Sequence, residues 1–111
     1  MLKISKLFSI AATAFIVSGQ ALFAGNIPES DDPIKVTIQD WTGQHFSTHV
    51  AAGLLKEMGY NVEIVVSDAI TQHPAIASGN INLSTEVWTN NVGDLYDGLV
   101  EKGDIVVVGE L

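Results

Sequence analysis

The sequence predicts an α/β fold, a parallel sheet with the element order β-α-β-α-β-α-β. Three observations carry that reading. Short β-branched runs alternate with apolar rows at helical spacing from Ile34 onward. Gly59, Gly79 and Gly103 stand at the ends of the helical rows, where a left-handed residue closes a helix. The connections are short, and right-handed crossovers between successive strands place all four parallel, with helices on both faces.

Taken in order, the chain opens on Met1 to Lys6, with two positive charges and no acid. Leu7 to Gly19 is apolar apart from Ser9, Thr13 and Ser18, and the run to Ala24 ends in a small residue. That is the plan of a secretory signal peptide, with cleavage expected after Ala24 or, alternatively, after Ala21. The apolar stretch falls short of the ~20 residues that span a bilayer, so no membrane insertion is expected once the signal is removed. Residues 25–33 hold two prolines and three acids with no periodicity, and read as a flexible leader. The domain organisation is therefore a signal at 1–24, a leader at 25–33 and one α/β lobe at 34–111.

Within the lobe, Ile34 to Ile38 is the first strand. From His45 to Met58 a helix places Phe46, Val50, Leu54 and Met58 in one i, i+4 row, with Ala51 and Leu55 beside it. Val62 to Val66 is the second strand. Pro74 to Ser78 is a short helical segment, with Pro at the first position, where its missing N–H does no harm. Ile81 to Trp88 is the third strand; Asn82, Ser84 and Glu86 make one of its sides polar, so that side either lies under a thin helix or faces a cleft near the Trp88 end. Val92, Leu95, Tyr96 and Leu99 mark the last helix, and Ile105 to Val108 the fourth strand.

The chain has 111 residues and no cysteine, so burial alone must hold the fold. Lys3 and Lys6 leave with the signal and there is no arginine, which leaves three lysines against thirteen acids, a net charge of −10. Nucleic-acid binding needs a basic footprint and is excluded on that balance. A cationic ligand or a basic surface is attracted instead, although acids also serve simply to keep an exported protein soluble.

The stretch Asp40-Trp41-Thr42-Gly43-Gln44 sits between the first strand and the first helix. Trp is out of place there, because such turns favour Gly, Asp, Asn and Ser. Trp88 ends the third strand in the same way. Taken singly, each indole reads first as core. If the chain reverses around strand one, however, strands one and three are neighbours, and both indoles lie at carboxyl ends, where ligands bind. Two indoles so placed can wall a box for a quaternary ammonium group, whose spread charge is attracted to the ring face. Thr42, Gly43 and Gln44 put backbone N–H groups at the positive end of the helix, a place for a carboxylate. The plainer alternative is that Gly43 permits the turn and Thr42 caps the helix.

His45 and His49 have the i, i+4 spacing of zinc ligands, but no third ligand accompanies them, and a solvated helix face is the better account. No metal or other cofactor is expected. Asp40 and Glu86 lie within two residues of a Trp and can supply negative potential to a cation. No nucleophile accompanies them, and the chain is not read as an enzyme.

The run from Ile34 to Gln44, the stretch Leu54 to Val62, the segment Ala75 to Asn82 and Glu86-Val87-Trp88 together resemble substrate-binding proteins of glycine betaine/proline/choline-type ABC importers. The resemblance covers most of the chain after Pro33. It implies lobe one of a two-lobed periplasmic-binding-protein (type II-like) fold that closes over a quaternary ammonium compound and delivers it to a membrane permease. It also implies that Trp41 and Trp88 are cage positions. The choline-binding branch carries an acid where this chain has Gly43, and the second lobe is missing, so the sequence reads as the N-terminal portion of a longer protein or as a truncated copy. The expectation is an exported, periplasmic binding component for glycine betaine or a related ligand, with Trp41, Trp88, Thr42, Gly43 and Gln44 at the site. The alternatives are a binding protein for another small cation or amino acid, and a remnant or interaction module whose indoles only pack.

Overall fold

The computed structural model describes residues 27–110, so the expected signal peptide and the start of the leader lie outside the described range. Its centre is strand β1, Ile34–Ile38, which pairs in parallel with β2, Val62–Val66, in a register from Ile34 opposite Val62 to Ile38 opposite Val66. The segment around Leu83 lies along the other edge of β1. Leu83 bridges Val36 in parallel, the N–H groups of Asn82 and Leu83 donate to the Lys35 carbonyl at 2.9 and 3.2 Å, and Thr37 N–H donates to the Leu83 carbonyl at 2.9 Å. With a neighbour on each side, β1 holds the interior: Val36, Thr37 and Ile38 are all buried.

Two strands of the expected four do not form as ladders among the described residues. Ile81 to Trp88 contributes only the Leu83 bridge, because its polar side chains take up the pairing. Asn82 Oδ1 accepts the Lys35 N–H at 2.8 Å, and the Ser84 hydroxyl turns back to the Glu86 carbonyl at 3.1 Å. Ile105 to Val108 forms no strand; Ile105 is buried, while Val106, Val107 and Val108 are exposed. The sheet is the β1–β2 pair with one bridged edge.

Helix α1, Thr42–Glu57, begins three residues before the expected His45. It ends where expected: Gly59 takes a φ of +96°, open to glycine at little cost, and its N–H donates to the Lys56 carbonyl at 2.9 Å. The face it buries is a correction to the apolar pattern. Phe46, Val50, Leu54 and Met58 are exposed, and Gln44, Thr48 and Ala52 are buried. Hydroxyl groups dock the helix in place of the apolar row. Thr48 donates to the Thr37 carbonyl of β1 at 2.9 Å, and Ser47 and Thr48 lie 2.9 and 3.2 Å from the Thr85 hydroxyl.

Helix α2, Gln72–Ala77, starts two residues before the expected Pro74, which sits third in it. A 3-10 turn, Thr89–Asn91, leads into α3, Gly93–Glu101. Buried His73 of α2 meets buried Tyr96 of α3 edge-on, ring centres 5.0 Å apart. Ahead of β1, the Tyr60 hydroxyl donates to Glu29 at 2.7 Å. No helix of the described residues is long and apolar enough to cross a membrane.

Candidate functional site

The ends of β1 and of the Leu83 segment point to the same place, and each is followed by a tryptophan. Trp41 is extended, with φ −139° and ψ 150°, and stands immediately ahead of the first residue of α1. Trp88 stands ahead of the 3-10 turn. Glu86 joins them: Oε1 accepts the Trp41 indole N–H at 3.0 Å and the Trp88 indole N–H at 2.5 Å. One carboxylate oxygen thus fixes two indoles that are 47 residues apart in sequence. An indole N–H lies in the ring plane, so these bonds leave the ring faces free for other contacts.

Beside the pair is a cavity of about 360 Å³, within the ~300–1,000 Å³ usual for small-ligand sites. Gln39, Trp41, Glu86 and Trp88 line it, with Ala69 and Gln72 on the β2–α2 side and Asn91 and Val92 from the turn into α3. Trp41 is half-buried, whereas Trp88 is 60% exposed. No lining residue is cationic.

The carboxylate is well supported. Thr85, next in the chain, is held by the hydroxyls of Ser47 and Thr48, and the Ser84 hydroxyl donates to Oε1 of buried Gln72 at 2.9 Å. Glu86 also stands over the start of α1. A β-carbon placed on Gly43 would lie 3.3 Å from Glu86 Oε2, closer than ordinary van der Waals contact. The bare glycine is what lets the carboxylate approach.

Of the residues expected at the site, Trp41 and Trp88 come together on one cavity. Thr42, Gly43 and Gln44 form the first turn of α1 beside it and are not in its lining. Thr42 does not cap the helix: it is the first helical residue, Trp41 holds the cap position, and no side chain bonds there. Gln44 is fully buried, and neither its Nε2 nor its Oε1 has a hydrogen-bond partner. Gln39, 3% exposed with an equally unpartnered amide, was missed by sequence reasoning. The available signal was a polar residue ending a strand that is otherwise buried. The sequence suggested Glu86 only as a source of negative potential, and nothing local in it announces a bridge between the indoles.

His45 and His49 are exposed on α1 with ring centres 6.4 Å apart, and no group of three or more metal-ligating side chains occurs among the described residues. Asp68, in the loop after β2, is a turn-forming residue. The Thr71 hydroxyl and the backbone N–H groups of Thr71 and Ile70 bond its carboxylate and hold its pKa down at about 2. Burial pushes the His73 pKa down, and the Ala69 backbone draws it partly back.

Compared with known proteins, residues 32–111 match the family described as the substrate binding domain of ABC-type glycine betaine transport system. A trimethylamine N-oxide-binding protein of Pelagibacter ubique (strain HTCC1062) is 34% identical over 103 residues, covering 91% of this chain and 33% of that protein. The chain therefore spans about a third of that relative's length. No solved structure matches.

Proposed function

Since the chain belongs to the family of substrate-binding domains of ABC-type glycine betaine transport systems, we infer that it is the exported, periplasmic binding component of an importer, or part of one. Its ligand on this reading is glycine betaine or a related quaternary ammonium compound, handed on to a membrane permease. The family is one of binding domains, and the chain is not proposed as an enzyme.

One observation carries the ligand class: two indoles anchored edge-on to a single carboxylate at the rim of a cavity without cationic walls. A quaternary ammonium has no N–H to satisfy and spreads its charge over methyl groups, which suits indole faces. Glu86 adds a full negative charge where the cation sits, and its bonds to both N–H groups keep the rings from rotating away. The name of the Pelagibacter relative, which binds a trimethylated amine oxide, supports the same class.

The affinity of this piece alone is modest. A desolvated cation–π contact contributes ~2 kcal/mol and an exposed one ~0.5–1, so half-buried Trp41 and exposed Trp88 together correspond to millimolar binding at best. Thr42, Gly43 and Gln44 remain proposed as part of the site, with Gly43 against Glu86 and none of the three in the cavity lining. The competing reading, an interaction module, is favoured by one feature, the exposed row Phe46, Val50, Leu54 and Met58.

Fluorescence separates the two readings, because Trp41 and Trp88 are the only tryptophans in the chain. Titration with tetramethylammonium should give a saturable change in emission, and titration calorimetry should show binding that is lost in the double variant Trp41→Phe, Trp88→Ala. A flat response to tetramethylammonium, choline and glycine betaine alike, taken well beyond millimolar concentration, would overturn the binding reading.

A further inference from the structure

We propose that Glu86 sets the site against ligands that carry a carboxylate and in favour of cations that carry none. The inference rests on the reading of the cavity as a quaternary ammonium site, and narrows it. A zwitterion such as glycine betaine needs two subsites, one for the ammonium and one for the carboxylate. The natural subsite for the carboxylate is the uncapped start of α1, where the helix end carries partial positive charge. That approach is already taken, because Glu86 Oε2 lies against Gly43 in the first turn, in space that any β-carbon would crowd.

The charges around the cavity point the same way. Its lining contains one carboxylate and no lysine, and the chain has no arginine. A second carboxylate brought in by a ligand finds no cation to pair with among these described lining residues and meets Glu86 as a like charge. Both indole donors, the groups available to a ligand oxygen, are committed to Glu86 Oε1. Glu86 cannot swing aside without breaking both bonds and releasing the cage it holds. A cation without a carboxylate meets none of these obstacles, and Glu86 neutralises it.

Three probes that share a methylated quaternary ammonium test this. Tetramethylammonium carries no carboxylate, glycine betaine carries one, and the methyl ester of glycine betaine restores its bulk without its negative charge. In the unaltered chain, followed by tryptophan emission, tetramethylammonium and the ester should each bind about tenfold or more tightly than glycine betaine. Glu86→Gln, which keeps an oxygen acceptor for the indoles, should weaken tetramethylammonium, strengthen glycine betaine and bring the two within a few-fold of each other.

Glycine betaine binding as tightly as its ester overturns the inference while leaving the cage reading intact. So does an unchanged ratio in a Glu86→Gln protein whose far-UV circular dichroism matches the parent. No response to any of the three probes overturns both. The ester comparison needs no variant, so the test holds even if Glu86→Gln fails to fold.

Discussion

Gln44 offers a sharp test of how α1 is docked. It is fully buried in the first turn of the helix, and both its amide nitrogen and its amide oxygen lack hydrogen-bond partners. Leaving such a group buried and unpaired costs ~1–3 kcal/mol. Methionine has nearly the same length and volume, no demanding polar atom, and enough rotamers to fill the same space. Gln44→Met should therefore stabilise the fold by about 2 kcal/mol. For a domain of this size that gain raises Tm by roughly 8–16 °C. Urea unfolding followed by tryptophan emission measures it directly: the midpoint should rise with the slope unchanged. A midpoint that falls would show that the Gln44 amide is satisfied in solution, and that the first turn of α1 is held by polar bonds at that position.

Three further outcomes are expected. Trp41→Ala should weaken tetramethylammonium binding more than Trp88→Ala, by calorimetry, because cation–π contacts contribute ~2 kcal/mol when desolvated but ~0.5–1 when exposed, and Trp88 is the exposed one; equal losses would contradict the half-buried placement of Trp41. Asp68 has a folded pKa of about 2 against an ordinary 3.8, so its stabilisation is complete above pH 4 and is lost as pH falls toward 2; Asp68→Asn should flatten the fall of Tm across that window, and an unchanged profile would refute the turn assignment. Mass spectrometry of the exported product should find its N-terminus at Gly25, and a retained Met1 would exclude cleavage of a signal.

The order β1, α1, β2, α2 and the last helix, α3, were legible because each signal was local. β-branched runs mark β1 and β2, and Gly59 closes α1 with a positive φ as its position predicts. The convergence of Trp41 and Trp88 was legible only on the condition that the chain reverses around strand one, and the bridge from Leu83 to Val36 supplies that neighbour. What the sequence hid depends on side chains meeting across long separations. The row Phe46 to Met58 announces a helix correctly and its buried face wrongly, because Thr48 and Ser47 find hydroxyl and carbonyl partners that no periodicity encodes. Ile81 to Trp88 has strand composition, yet Asn82, Ser84 and Glu86 bond through their side chains and leave no ladder. Ile105 to Val108 has the composition of a buried strand, but nothing in it specifies a partner, and three of its valines face solvent.

The bond from Trp41 to Glu86 has a consequence in time. It closes a loop of 45 residues, and the neighbouring bond from Lys35 to Asn82 closes one of 47. β1 and β2, joined through α1, are much nearer in sequence. Closing longer loops costs more chain entropy, and folds rich in distant contacts form more slowly. The β1–α1–β2 unit can assemble first, while the segment that carries Glu86 and Trp88 must dock onto the finished edge of β1. On loop length alone the cage is expected to form last in refolding, after the helix and the strand pair are in place.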